Sequence, residues 1–163
     1  MIKIINYGVG NIDAFINIYK NLGIDIGIAS KSDDLAGATK LILPGVGHFD
    51  YAMLKFKQTG MLNSVNNLVL NKRIPVLGIC VGMQIMAHSS EEGFENGLSW
   101  IDADVRRIPE NSTNIYKKRL PHMGWNDVRV ISENQITNYL EEKSKFYFLH
   151  SFYFHCNNII TPK

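Results

Sequence analysis

Cysteine is nearly absent from this 163-residue chain: Cys80 and Cys156 are its only two, and they lie far apart. Two distant cysteines make no disulfide framework, so an apolar core must hold the fold and a reducing compartment is the natural setting. No apolar run approaches the ~20 residues that span a bilayer. The opening Met-Ile-Lys-Ile-Ile-Asn lacks an apolar stretch ending at a small-residue cleavage site, so no signal peptide is expected. Net charge is slight, at +2, and no lysine–arginine run forms a patch, which argues against nucleic acid as a partner. A soluble, cytoplasmic protein with no membrane partner is the expectation. There is no internal repeat, low-complexity segment or linker, and 45% of the residues are apolar, so 1–163 reads as a single domain.

What is present is concentrated in Pro75-Val76-Leu77-Gly78-Ile79-Cys80-Val81-Gly82-Met83-Gln84. Residues 75–79 read as a buried strand and 82–87 as the opening of a helix. Cys80 sits at the joint with glycine two residues to either side. Gly-x-Cys-x-Gly is the nucleophile-elbow pattern with a thiol in place of a hydroxyl. Side chains at the flanking positions of so sharp a turn would collide with strand or helix, and the turn raises the thiol above the sheet at a helix start that favours thiolate. A buried cysteine in a tight turn is the plain alternative, and the pentapeptide alone leaves the two about even.

Around this stretch the chain alternates. Residues 1–7, 25–29 and 41–43 read as strands, and helical spacing follows at 12–22, 49–57 and 62–72. Asn11 is a good N-cap for the first helix, Gly23 stops it, and Leu62, Val65, Leu68 and Val69 share one face of the last. Such alternation predicts an α/β fold with a doubly wound, mostly parallel sheet covered on both faces. The loops Gly8-Val9-Gly10-Asn11, Pro44-Gly45-Val46-Gly47 and the Cys80 elbow then fall at one edge, beyond the carboxyl ends of the strands, where such sheets bind ligands. Past Gly93 the style changes: 100–108, 120–131 and 145–156 read as antiparallel strands, with a short helix near 135–142.

Several groups could carry chemistry. Gly8-x-Gly10 is a weak dinucleotide signal, because the third glycine would fall at Asp13, and a plain turn is favoured. Successive glycines in the Pro44 loop can aim N–H groups at an anion, so the N–H of Val81 and one from that loop could form an oxyanion hole. Glu91-Glu92 could hold a substrate ammonium, with a solvated acidic turn as the plain reading. The candidate bases are His48, His88, His122, His150 and His155. His150 and His155, five apart on one apparent strand, would point to opposite faces and make no metal pair. No metal or cofactor is expected.

Six segments occur in an order seen in one family: Asn6-Tyr7-Gly8-Val9-Gly10-Asn11, Leu43-Pro44-Gly45-Val46-Gly47, the Cys80 stretch, Glu91-Glu92-Gly93, Pro121-His122-Met123-Gly124-Trp125-Asn126 and Tyr147-Phe148-Leu149-His150-Ser151. On these motifs the chain resembles the class I (triad) glutamine amidotransferases, and among them the glutaminase subunits of imidazole glycerol phosphate synthase, from its start to about Phe154.

The resemblance implies that Cys80 attacks the glutamine amide to give a glutamyl thioester and ammonia, with Val46 and Val81 as oxyanion donors. It implies that Gly47, Gln84, Glu92, Ser151 and Phe152 grip glutamine, although the family usually has Tyr where Phe152 stands. Asn11, His122, Trp125 and Tyr147 match the face that meets a cyclase (synthase) subunit in a heterodimer. The family's catalytic His and Glu come from a Phe-His-Pro-Glu motif near its C-terminus, and the sequence reaches Thr161-Pro162-Lys163 without one. The expectation is therefore a piece of a longer chain that lacks its C-terminal segment and turns glutamine over poorly by itself. Two alternatives stand beside histidine biosynthesis: a paralogous glutaminase feeding a sugar amidotransferase in surface-polysaccharide synthesis, and a catalytically incomplete binding module.

Overall fold

The computed structural model describes residues 1–109, 120–131 and 134–157. Asn158 and the Thr161-Pro162-Lys163 end lie outside them. The described residues form two compact units. One is residues 1–106 with the described residues from Phe154 on; the other is the described part of Arg107–Tyr153.

In the first unit, β1 (Ile2–Ile5), β2 (Ile26–Ala29), β3 (Lys40–Leu43) and β4 (Val76–Gly78) form a sheet in the order β2-β1-β3-β4. Every neighbouring pair is parallel, with Ile4 opposite both Ile28 and Ile42, and Leu43 opposite Gly78. The core lies on β1 and β3, where Ile4, Ile5, Leu41, Ile42 and Leu43 are all buried. β4 departs from the expected buried strand. Among the described residues it ends the sheet, and Leu77 is 44% exposed.

Helix α1 (Ile12–Asn21) starts where Asn11 was expected to cap it, the Asn11 side chain accepting from the Ala14 N–H at 3.1 Å. It ends at Gly23, whose φ of +67° suits glycine. Helix α2 (Phe49–Gln58) buries Phe49, Ala52, Met53 and Phe56, the i, i+3, i+4, i+7 stripe that seats a helix on a sheet. The expected helix over 62–72 is two structures: α3 (Leu62–Asn66), then a π-turn over Asn67–Asn71 in which the Lys72 N–H reaches back to the Asn67 carbonyl.

Helix α4 (Val81–Gln84) is one turn, shorter than the 82–87 expected. Past Ile85 the i−4 ladder is lost: the Met86 and Ala87 N–H groups bond to the Met83 and Gln84 carbonyls, three residues back, and the His88 N–H goes to the Ala103 carbonyl, while residues 98–101 take the carbonyls of Ile85, Met86 and Ala87. A Cβ on Gly97 would strike the Ala87 carbonyl, so that returning loop needs glycine.

Past α4, β5 (Ser89–Ser90) pairs in parallel with β6 (Ala103–Arg107), in a small sheet of order β5-β6-β9 whose third strand is Phe152–Cys156. In the second unit, β7 (His122–Val128) and β8 (Ser144–His150) form an antiparallel ribbon. The single strand expected over 145–156 breaks at Ser151 into β8 and β9 (Phe152–Cys156), so His150 and His155 lie on different strands and the opposite-face argument does not apply. The helix expected near 135–142 is a set of turns, in which the Asn134 side chain accepts the Ile136 and Thr137 N–H groups. Among the described residues no helix is long and apolar enough to cross a membrane.

Two glycines test this packing. A Cβ on Gly82 would overlap the Leu43 carbonyl, whereas one on Gly60 meets nothing and faces only a φ of +69°. Gly82→Ala should therefore cost at least about 3 kcal/mol and Gly60→Ala about 1–2, read by chemical denaturation. Equal losses would mean that backbone conformation rather than the close approach governs Gly82.

Candidate active site

β1, β3 and β4 are neighbours and parallel, so the loops that follow them emerge at one sheet edge. Each crowds the next. A Cβ on Gly10 would come within 2.9 Å of the Pro44 Cβ and 3.4 Å of the Gly45 N; one on Gly45 would overlap the Gly82 amide. The Ile79 N–H, just before Cys80, donates to the Leu43 carbonyl at 3.0 Å, the same oxygen that Gly82 leans against.

Cys80 occupies the joint with φ +54° and ψ −121°, a conformation L-residues adopt rarely and at a cost of about 1–3 kcal/mol. Its carbonyl accepts the N–H groups of Met83 and Gln84, which starts α4 directly behind it. The thiol is exposed. A nucleophile held in a strained turn between strand and helix is the geometry an elbow requires.

Tyr7, to which sequence reasoning gave no role, is buried at the end of β1 and donates its hydroxyl to the Pro44 carbonyl at 2.5 Å. Burial, and secondarily the charge of an ionised Cys80, hold its phenol above the ordinary tyrosine range. The available signal was a phenol just past an isoleucine-rich strand, since a buried tyrosine needs a partner for its hydroxyl.

Glu92 is not a solvated acidic turn. Its carboxylate accepts the Phe49 N–H at 2.9 Å, at the start of α2 and two residues past Gly47. Asp50, one residue on, reciprocates by accepting the N–H groups of Phe94 and Glu95. Burial works against the charged Asp50, but these N–H bonds outweigh it and lower its pKa. Gly93 has no room for a side chain against that carboxylate. The exchange ties the Glu91-Glu92-Gly93 turn to the loop carrying Val46 and Gly47, both exposed. Cys80, Val81, Gln84, Val46, Gly47 and Glu92 are thus joined within one unit, with Asn11 capping α1 in the same unit.

The remaining candidates lie on the second unit. Ser151 separates β8 from β9, Phe152 begins β9, and Tyr147 faces Trp125 across the ribbon with ring centroids 5.6 Å apart. Strand alternation puts His122 on the face of the ribbon opposite Trp125 and Tyr147. The histidines have partners of their own. His48 caps α2 by accepting from the Asp50 N–H, His88 pairs with Asp102 at 3.1 Å, and His122 and His150 bind each other.

Residues 4–161 match the family model for glutamine amidotransferase class-I. The chain belongs to that family. It is 50% identical over 158 residues to an imidazole glycerol phosphate synthase subunit HisH of Bdellovibrio bacteriovorus, covering 97% of this chain and 77% of that one. A HisH subunit of Leptospira interrogans is 45% identical, covering 99% and 80%. A crystal structure of a glutamine amidotransferase, only 21% identical, superposes with a TM-score of 0.59 over 77% of this chain and 62% of that one, which supports the same fold.

Two expectations follow for this amidotransferase. A glutamine-shaped alkylating agent should label Cys80 in preference to Cys156, although both thiols are exposed, because only Cys80 stands on the elbow. Peptide mass mapping reads the result, and preferential labelling of Cys156 would overturn it. The second concerns alkali. The folded protein holds the Tyr7 proton that the unfolded chain gives up at about pH 10, so Tyr7 stabilises fully below that pH. As pH rises further the contribution is lost, by up to about 1.4 kcal/mol per unit. In Tyr7→Phe that part of the slope should vanish, as denaturation midpoints at pH 9, 10 and 11 would show.

Proposed function

We propose that this chain hydrolyses glutamine through a Cys80 thioester and supplies the ammonia to a cyclase (synthase) subunit making imidazole glycerol phosphate in histidine biosynthesis, the two subunits forming a heterodimer. The observation that carries the reading is Cys80 at φ +54° on a strand–helix elbow, in a chain 50% identical to a HisH subunit. Nothing in the comparisons favours the surface-polysaccharide alternative. The cytoplasm is the compartment this role implies.

The chemistry is acyl transfer. The Cys80 Sγ attacks the side-chain amide carbon, the C–N bond breaks, and the nitrogen leaves as ammonia after gaining a proton. Water then adds to the thioester, the C–S bond breaks, and glutamate and the thiol are released. In each step charge collects on the carbonyl oxygen, where preorganised N–H donors act most strongly. We assign that task to Val81 and Val46, whose N–H groups donate to no acceptor among the described residues. Gly47, Gln84 and Glu92 are assigned to glutamine in the first unit. Ser151 and Phe152, in the second, are assigned to it by resemblance alone. The proton for the leaving nitrogen is assigned to none of the five histidines, and the family's Phe-His-Pro-Glu motif is not in the 163 residues.

For the partner subunit the support is chemical. Met123, Trp125, Tyr147 and Leu149 share one face of the β7–β8 ribbon and are 51–69% exposed. Trp and Tyr anchors of this kind dominate protein interfaces.

Gly47 offers the sharpest test. A methyl there meets no protein atom within 4 Å, but the φ of +88° resists any side chain, and the methyl would either crowd the glutamine or rotate an oxyanion donor. Gly47→Ala should shift the loop and with it the Val46 N–H, and lower glutaminase activity of the natural complex by about 10²–10³-fold, the loss typical of one oxyanion donor. The thermal midpoint should barely move. Normal activity would mean that the loop is only a turn.

A further inference from the structure

His122 and His150 stand directly opposite each other in the β7–β8 register, and a run of hydrogen bonds passes through both. The His122 Nδ1 lies 3.0 Å from the His150 Nε2, and the His150 Nδ1 lies 2.9 Å from the Phe152 carbonyl oxygen. On the other side the Asn126 Nδ2 lies 3.2 Å from the His122 Nε2 and 3.2 Å from the Gly124 carbonyl. Phe148 stacks on the His122 ring at 5.5 Å and fixes its plane.

Proton accounting gives this run one direction. A carbonyl oxygen only accepts, so the His150 Nδ1 carries a hydrogen for Phe152. The two hydrogens on the Asn126 nitrogen serve Gly124 and the His122 Nε2; turning the amide over would set its oxygen against the Gly124 carbonyl. The His122 Nε2 therefore accepts, and its Nδ1 carries the hydrogen that the His150 Nε2 takes. The order Asn126 to His122 to His150 to Phe152 needs both rings neutral, each in the Nδ1–H tautomer.

The far end is held as well. The Ser151 carbonyl accepts the Ile108 N–H at 2.9 Å while the Phe152 carbonyl accepts from His150, so both carbonyls of this dipeptide are fixed. We propose that His122 and His150 form a positioning relay that sets the backbone of the Ser151–Phe152 turn for glutamine. The inference rests on the assignment of Ser151 and Phe152 to glutamine made above. It also gives His122 a place that its face of the ribbon explains, away from the Trp125 and Tyr147 surface.

Nitrogen NMR of the imidazoles in the wild-type complex and glutamine kinetics of variants together test it. Both rings should show the neutral Nδ1–H tautomer. His150→Ala should raise KM for glutamine about 5–10-fold, and leave kcat within about twofold, as expected for losing one hydrogen bond that orients a binding turn. His150→Asn keeps a donor at the Nδ1 position and should restore most of the KM. An Nε2–H tautomer at either ring overturns the relay, as does an unchanged KM in His150→Ala within a complex that releases glutamate normally. A wild-type complex that releases no glutamate would instead remove the functional reading beneath it.

Discussion

Everything at this site depends on one close approach, that of the backbone after β3 to the backbone after β4. Gly82 lies against the Leu43 carbonyl and Gly45 against the Gly82 amide, with no room for a Cβ at either position. That contact, with the Ile79 N–H bond to the same Leu43 oxygen, holds the turn in which Cys80 keeps φ +54°. A conformation costing about 1–3 kcal/mol persists only where its surroundings over-determine it. Here two parallel strands, two glycines and the first hydrogen bonds of α4 do so. The strain is also useful, because a relaxed turn would lay the thiol along the sheet instead of lifting it above the edge.

The features legible in the sequence were those with a local cause. Asn11 capping α1, Gly23 ending it, the Phe49–Phe56 stripe of α2 and the Gly-x-Cys-x-Gly joint each follow from residues within a few positions of one another. The misreadings share the opposite property. Helix α4 is not extended because the chain beyond it pairs elsewhere, the His88 N–H with the Ala103 carbonyl, and Glu92 is an anchor because α2 offers it an N–H from more than forty positions away. Tyr7 is tied to Pro44 across a comparable separation. Sequence pattern reports the period of an element; it says nothing about which distant donor will reach that element's carbonyls.

The Asp50–Glu92 exchange shows how such distant pairs build a wall from two loops. Each carboxylate accepts backbone N–H groups belonging to the other's segment. Bonds from N–H to carboxylate are about twice as strong as neutral ones. A carboxylate oxygen has several acceptor positions, so Glu92 can hold Phe49 and still present charge to a ligand ammonium. The same group that stiffens the Gly47 loop is thus suited to read a substrate, which merges the structural and functional readings of Glu91-Glu92.

The β7–β8 ribbon makes a related point about faces. Its motif reads as one aromatic and amide-rich segment, yet a period of two divides it. Odd positions send Met123, Trp125, Tyr147 and Leu149 outward as an apolar surface. Even positions bring His122, Asn126, Phe148 and His150 together as a hydrogen-bonded cluster. An antiparallel pair needs no more than this register to keep an apolar face and a polar network apart, because side chains on opposite faces cannot exchange partners without a slip that would reverse both. That division is why neighbouring residues of one motif have different surroundings, and why the contacts of His122 are better understood from the residue across the ribbon than from those beside it in the chain.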